Sequence, residues 1–142
     1  MFFICFAGKN FVASFCFIAS GVMAIHYESI QQIFGQCPTP LAVGTNNMGK
    51  TTSAKAFLSV VGKKEKGLAR QLTQAEAALK CASSTIPFVF DDPDNLSEVK
   101  NLIHNNFNGQ VRSNIKTTSK PKTTCLFTIN EDKLPTLLGN FR

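Results

Sequence analysis

The segment that most constrains the fold of this chain covers residues 44–51 and has the sequence GTNNMGKT. It matches the pattern G-x-x-x-x-G-K-[ST], in which glycines allow backbone N–H groups to turn inward on phosphate oxygens at the N-terminus of a helix. Such a loop requires a strand before it and a helix after it. Residues 41–43 are typical of a short buried strand, and a helix is predicted over residues 49–61, closed by Gly62. The sequence therefore predicts a strand, a phosphate-binding loop and a helix in direct succession.

Two side chains of this loop have specific expected roles. Lys50 would reach the β- and γ-phosphates of a nucleotide, and the Thr51 hydroxyl would ligate magnesium. The loop and the residue after it provide nine candidate nucleotide contacts: Gly44, Thr45, Asn46, Asn47, Met48, Gly49, Lys50, Thr51 and Thr52. We therefore expect a nucleoside triphosphate as ligand, namely ATP with magnesium. The alternative interpretation is a glycine-rich turn with an incidental lysine.

Two carboxylates follow a second predicted strand. Residues 86–90 are β-branched and aromatic, which is typical of a buried strand, and Asp91 and Asp92 come directly after it. In a parallel sheet, the carboxyl end of a strand lies at the crevice where ligands bind. Asp91 fits the coordination of magnesium, and Asp92 fits a general base that polarises the attacking water. Alternatively, the pair caps the helix that follows.

The rest of the chain alternates between helical and extended patterns. Helices are predicted over residues 19–34, 73–82 and 95–106, the first of them with a C-cap at Gly35. Further strands are predicted over residues 68–72 and 124–129, and residues 63–66 form a charged turn. This alternation predicts an α/β fold with a mostly parallel sheet.

A third polar position follows the last predicted strand, because Asn130 ends the sequence LFTIN. In this order and near this spacing, GTNNMGKT, FVFDD and LFTIN resemble the motifs of superfamily 3 helicases and related AAA+ ATPases, including primase-helicases of viruses and mobile elements. The resemblance covers residues 38–142 and implies a three-layer P-loop NTPase with a mostly parallel sheet. It also implies that Asn130 is a sensor that contacts the γ-phosphate and the lytic water.

Further segments carry a second resemblance. The sequences AIHYESI, CPTPLAVG, IPFVFDDP and LIHNNFNG look like a group of uncharacterised animal and mobile-element ATPase proteins, which implies no particular substrate. Many relatives have Glu at the position of Asp92, and the fifth strand and helical lid of the family have no counterpart here, so we expect an incomplete core. Arg142 lies where the family often places an arginine finger that reaches a neighbouring subunit of a ring-forming homo-oligomer. The alternative for Arg142 is a solvated terminal residue.

The chain has a net charge of +6, and its positive excess is uneven. No acidic residue lies between Glu98 and Glu131. That stretch contains Arg112, Lys116, Lys120 and Lys122. Superfamily 3 helicases use a segment at this place to grip single-stranded DNA, so the resemblance implies contacts with the phosphates of single-stranded DNA or RNA. A solvated surface that serves solubility is the alternative.

The N-terminal segment has three open interpretations. Residues 1–25 are almost wholly apolar and are interrupted only by Lys9 and Asn10. A secretory signal and a membrane anchor are both possible interpretations, although the uncharged run is shorter than the ~18 to 20 residues that a bilayer requires. We favour a buried element of the domain. Residues 1–37 are then an apolar N-terminal segment and helix that pack on the core, and residues 38–142 are the P-loop NTPase domain.

The five cysteines bear on the compartment. Their number is odd, they are widely spread, and they show no CxxC or Cys/His spacing that suits zinc. Reduced and mostly buried thiols favour an intracellular location, cytoplasmic or nuclear.

The sequence is compatible with three alternative functions. The leading hypothesis is a helicase-like ATPase that hydrolyses ATP by in-line attack of water and acts on nucleic acid. The second is a truncated or degenerate P-loop module that binds nucleotide or a partner protein without turnover. The third is a secreted or membrane-anchored protein with an accidental P-loop.

Overall fold

The computed structural model describes residues 10–110, 112–114 and 117–139. Six α-helices lie within these residues: α1 (Phe11–Ile25), α2 (Tyr27–Phe34), α3 (Lys50–Val60), α4 (Gln74–Ser83), α5 (Leu96–Phe107) and α6 (Leu134–Gly139). Six strands lie there too: β1 (Leu41–Gly44), β2 (Leu68–Ala69), β3 (Val89–Asp91), β4 (Arg112–Asn114), β5 (Thr117–Ser119) and β6 (Leu126–Asn130). Short 3-10 helices cover Lys64–Gly67 and Glu131–Lys133.

The main sheet has four strands in the order β1-β6-β3-β2, and all of its pairs are parallel. The prediction of an α/β fold with a parallel sheet is therefore confirmed. In this register Gly44 lies opposite Asn130, and Asp91 lies opposite Thr128. The carboxyl ends of β1, β6 and β3 consequently meet at one edge of the sheet, which is where polar side chains from distant parts of the chain converge.

The predicted strands differ from the observed ones in extent. The strand predicted over residues 68–72 is only Leu68–Ala69, and the one predicted over residues 86–90 is Val89–Asp91. Asp91 therefore belongs to β3 rather than following it. β4 and β5 form a separate antiparallel pair within the basic stretch, where the sequence indicated only a loop.

Helices cover both faces of the main sheet. On one face, α4, α5 and α6 pack against side chains such as Phe88, Phe90 and Phe127. On the other face, α1 and α3 pack against Val89 and Leu126. Because successive strand residues point to opposite faces, the near-continuous apolar runs of β3 and β6 supply both cores at once.

The helix predicted over residues 19–34 is two helices, α1 and α2, which meet at His26 with a bend of 77°. Gly35 ends α2 in the left-handed conformation, as the sequence predicts. The bend allows α2 to reach the C-terminus of α5, where the last carbonyls lack partners within the helix. There, the buried Tyr27 hydroxyl donates to Asn106 O, and Gln31 Nε2 donates to Phe107 O at 2.8 Å.

α1 is attached to the core through polar as well as apolar contacts. Phe17 and Ala24 are buried in the same cluster as Phe57 of α3. Ser53 Oγ donates to Ser14 Oγ at 2.8 Å, and Thr123 donates its hydroxyl to the carbonyl of Ala24.

The described residues include the apolar helix α1. None of their helices is by itself long and apolar enough to cross a membrane, and α1 with α2 passes on length and composition only as a bent pair.

The thiols match the expectation of reduced cysteines where they are described. Cys16, Cys37, Cys81 and Cys125 are free, and all but Cys16 are buried. Burial raises the pKa of the Cys37 thiol to about 11, so this thiol stays protonated near neutral pH. Cys5 lies outside the described residues.

The contact between α1 and α3 predicts a stability effect at Gly21. A Cβ atom at this buried position would lie 2.5 Å from Cε2 of Phe57. We expect Gly21→Ala to lower the free energy of unfolding by about 1 to 3 kcal/mol, because overpacking outweighs the better helix propensity of alanine. Urea denaturation measures the change. The control is Gly139→Ala, where a Cβ meets no heavy atom within 4 Å; equal stabilities of the two variants would contradict the packing of α1 on α3.

Candidate functional site

The loop after β1 has the backbone of an anion-binding turn. Asn47 and Gly49 both adopt positive φ, of 62° and 84°, and α3 begins directly afterwards at Lys50. The N-cap residue of α3 is Gly49, which has no side chain to cap this end of the helix. The first N–H groups of α3 are therefore available to an anion, which the helix dipole also favours at this end.

Two side chains from outside the loop donate hydrogen bonds to its backbone carbonyl groups. Asn10 Nδ2 donates to Met48 O at 3.1 Å, and Ser53 Oγ donates to Gly49 O at 3.0 Å. Both donors lie on the helices that cover this face of the sheet or at their start. The packing of α1 on α3 is thus coupled to the shape of the loop.

The Lys50 ammonium group is held over the loop by three acceptors. Its Nζ donates to Gly44 O and Thr45 O, both at 2.7 Å, and to Asn130 Oδ1 at 3.0 Å. Asn130 Nδ2 in turn donates to Asp92 Oδ2 at 2.9 Å. An ammonium group only donates and a carboxylate only accepts, so these two neighbours determine the orientation of the Asn130 amide. Lys50, Asn130 and Asp92 form one hydrogen-bonded chain across the ends of three strands.

Asp91 is buried at the base of the cleft. Its Oδ1 accepts hydrogen bonds from Thr51 Oγ1 at 2.9 Å and from Thr128 Oγ1 at 2.5 Å. Its Oδ2 lies 3.6 Å from Nε of Arg70. The two predicted magnesium ligands, Thr51 and Asp91, are therefore in direct contact, and both present the oxygen atoms that Mg²⁺ prefers.

Asp92 lies at a sharp turn after β3. Its φ is +48°, a left-handed conformation that Asp tolerates better than most residues, and its N–H donates to Thr128 O at 2.9 Å. Lys133 Nζ lies 3.1 Å from Asp92 Oδ1, but this buried oxygen accepts no hydrogen bond from the described residues. The contact is thus an ion pair without hydrogen-bond geometry. Neither Asp91 nor Asp92 caps α5, because its N-cap is Asn95.

These groups line a cleft of about 640 Å³, a volume within the range of small-molecule sites. Most of the candidate nucleotide contacts line it, together with Asp91, Asp92 and Asn130. Gly44 and Thr45 contribute instead the carbonyl groups that hold Lys50.

No group of three or more His, Cys, Asp or Glu side chains that could hold a metal occurs among the described residues. The two predicted magnesium ligands offer one carboxylate, from Asp91, and one hydroxyl, from Thr51. Mg²⁺ is usually bound by one or two carboxylates plus substrate phosphates and water. This set of oxygen atoms therefore suits Mg²⁺ only when phosphate oxygens complete it.

Among the remaining predicted site residues, only Lys120 and Lys122 have described side chains. Arg112 lies in β4, and nothing is described of its side chain; Lys116 and Arg142 fall outside the described residues. Lys120 and Lys122 are exposed and do not line the cleft.

Four residues of the cleft were missed by the sequence analysis: Arg70, Gln71, Asp94 and Thr128. Thr128 had a recognisable signal, since it is a polar residue between the apolar Phe127 and Ile129 of a strand. Arg70 had no such signal in the sequence, because its position at the cleft depends on β2 being the neighbour of β3 in the sheet. Lys133, the partner of Asp92, also had none, since it lies in a short helix after β6.

Comparison with known proteins gives no further guide to this site. No protein-family model matches the chain, and neither a curated protein nor a solved structure matches it significantly.

Proposed function

We propose that the chain is a P-loop NTPase of the superfamily 3 helicase and AAA+ type, which binds ATP with Mg²⁺ in the cleft and hydrolyses it. One observation carries this proposal. Lys50 and Asn130 are 80 positions apart and Thr51 and Asp91 are 40 apart, yet each pair is hydrogen-bonded at the same edge of the sheet. An incidental glycine-rich turn would not require such partners. The contacts support a phosphate site with a metal-ligating carboxylate beside it.

The binding step follows from which hydrogen bonds can be exchanged. The N–H groups of the loop and of the first turn of α3 surround the β-phosphate. Lys50 Nζ gives up its bonds to Gly44 O and Thr45 O and donates to phosphate oxygens instead. Thr51 and Asp91 would hold Mg²⁺, which would supply positive charge to offset that of the phosphates.

The hydrolytic step uses Asp92 and Asn130. A water oxygen attacks the γ-phosphorus in line, the bond to the oxygen that bridges the β- and γ-phosphates breaks, and ADP leaves with that oxygen. The proton of the water passes to Asp92, whose Oδ2 already accepts a hydrogen bond from Asn130. Asn130 contacts both Asp92 and Lys50, so it links the base to the phosphate-binding lysine.

A direct binding titration of the wild-type chain tests the proposal. We expect ATP to bind in the presence of Mg²⁺ and to bind much more weakly when EDTA removes the metal, because Asp91 and Thr51 then have no cation to share with the phosphates. Isothermal titration calorimetry measures both affinities. A wild-type protein that binds no ATP in the presence of Mg²⁺ would contradict the proposal.

Nucleic-acid binding is the second part of the proposal. It is supported by the exposure of Lys120 and Lys122, which directly follow the β4-β5 pair in a stretch without acidic residues. We expect Lys120→Glu/Lys122→Glu to weaken the binding of single-stranded DNA and to reduce its salt dependence, because binding to phosphates releases counterions.

Fluorescence anisotropy with labelled single-stranded DNA at several salt concentrations measures this effect. Lys55→Glu/Lys66→Glu is the matched control, since both lysines are exposed and the net charge changes equally. If both double variants weaken binding to the same degree, the stretch has no particular role in it.

A further inference from the structure

Among the described residues, Arg70 is the one cationic side chain lining the cleft to which the proposed mechanism gives no task. It directly follows β2, whose carboxyl end lies at the same edge of the sheet as that of β3. It lines the cleft together with residues of the phosphate-binding loop and with Asp91. Its guanidinium group is therefore close to the other groups that line the cleft.

The contact that Arg70 makes is replaceable. Its Nε lies 3.6 Å from Asp91 Oδ2, and its side chain is 76% exposed, whereas that of Asp91 is 4% exposed. An ion pair with so exposed a partner contributes little to stability. The guanidinium group can therefore leave Asp91 at low cost while the carboxylate stays in place.

The contact is also made at the atom that a metal would need. Asp91 Oδ1 already accepts hydrogen bonds from Thr51 and Thr128, so Oδ2 is the oxygen left for a cation. Arg70 and Mg²⁺ cannot both pair closely with this one oxygen, because two like charges a few ångströms apart repel each other. Arg70 would therefore have to leave Asp91 Oδ2 when that oxygen binds a metal ion.

The charges of the cleft indicate where the displaced arginine goes. Three carboxylates line it, on Asp91, Asp92 and Asp94, against two cationic side chains, on Lys50 and Arg70. A terminal phosphate adds further negative charge beside these carboxylates. Guanidinium groups bind phosphate oxygens through two parallel hydrogen bonds, which an ammonium group cannot do.

We propose that Arg70 is a nucleotide-state switch that pairs with Asp91 in the metal-free protein and with the terminal phosphate of a bound nucleoside triphosphate. The inference rests on the proposed function and adds selectivity for triphosphate over diphosphate. In the diphosphate complex, the arginine has no γ-phosphate to contact and contributes nothing to affinity.

The test compares ATP and ADP affinities of wild-type and Arg70→Ala proteins by isothermal titration calorimetry with Mg²⁺, using a non-hydrolysable ATP analogue. We expect the affinity for the analogue to fall about tenfold or more, as for the loss of a charge-assisted hydrogen bond, and the affinity for ADP to stay unchanged. Lys66→Ala is the control, because Lys66 is an exposed cation shortly before Arg70 that does not line the cleft.

Each other outcome overturns the inference. Equal losses of affinity for both nucleotides would make Arg70 a general electrostatic contributor, and unchanged affinities would leave it without a role. If the wild-type protein binds neither nucleotide, the proposed function fails as well. Arg70→Lys adds a further check: it retains the charge but not the bidentate geometry, so we expect it to recover only part of the affinity for the triphosphate analogue.

Discussion

Replacing Lys50 by alanine should weaken the binding of ATP with Mg²⁺ by at least about a hundredfold, which corresponds to ~2.7 kcal/mol. The physical reason is that Lys50 supplies the positive charge at the centre of the phosphate-binding loop, with Nζ already oriented there by Gly44, Thr45 and Asn130. Without it, the phosphates face the carboxylates of Asp91 and Asp92 with less compensation. Isothermal titration calorimetry measures the change in the dissociation constant.

Lys55→Ala is the matched control for this variant. Lys55 lies on the same helix, α3, but it is exposed and outside the cleft. Thermal unfolding of both variants separates a loss of binding from a loss of fold, since Lys50 also makes three hydrogen bonds within the protein. If Lys50→Ala folds and binds ATP as tightly as Lys55→Ala does, residues 44–51 do not form a nucleotide site.

Asp92→Asn should lower the rate of Mg²⁺-dependent ATP hydrolysis by about 10²- to 10⁴-fold, the usual contribution of a general base. Binding of ATP should persist, because an amide oxygen can still accept the hydrogen bond from Asn130 Nδ2. The backbone should tolerate the change, since Asn adopts a φ of +48° as readily as Asp does. The rate of phosphate release at saturating ATP measures the effect.

Asp94→Asn provides the control for the base. Asp94 also lines the cleft, and its side chain is 79% exposed and 3.9 Å from Lys133. An equal loss of rate in both variants would assign the effect to charge rather than to the base. A wild-type protein that binds ATP without hydrolysing it would favour the alternative, a nucleotide-binding module without turnover.

The Lys133 ion pair gives Asp92 a neighbour that the sequence did not reveal. Lys133 Nζ donates to Pro93 O at 3.3 Å and lies close to the carboxylates of Asp92 and Asp94. The short helix after Asn130 thus holds the turn after Asp91 in position. The strained backbone of Asp92 is retained because contacts with Thr128, Asn130 and Lys133 surround it.

The local structure of the chain was predictable to different degrees. The helix predicted over residues 49–61 is Lys50–Val60, and the one predicted over residues 95–106 is Leu96–Phe107. Both begin at strong signals, a glycine loop and an Asn cap, and α5 has clear helical periodicity as well. By contrast, the helix predicted over residues 19–34 is broken at His26, because the buried Tyr27 and the half-buried Gln31 bind the end of α5. No local sequence pattern predicts a contact with residues that lie so far along the chain.

The amino-acid sequence by itself determined the order along the chain of the strands of the main sheet, the glycine-rich loop of residues 44–51 and the polar residues that end β3 and β6. These features are local, since they depend on spacing, periodicity and turn chemistry within a few residues. Only the tertiary structure decided which of these residues touch. Because β6 lies between β1 and β3, Asn130 reaches both Lys50 and Asp92, and because β2 lies beside β3, Arg70 reaches Asp91. Strand order follows from burying both faces of the sheet under helices, and this is a property of the whole chain rather than of any segment.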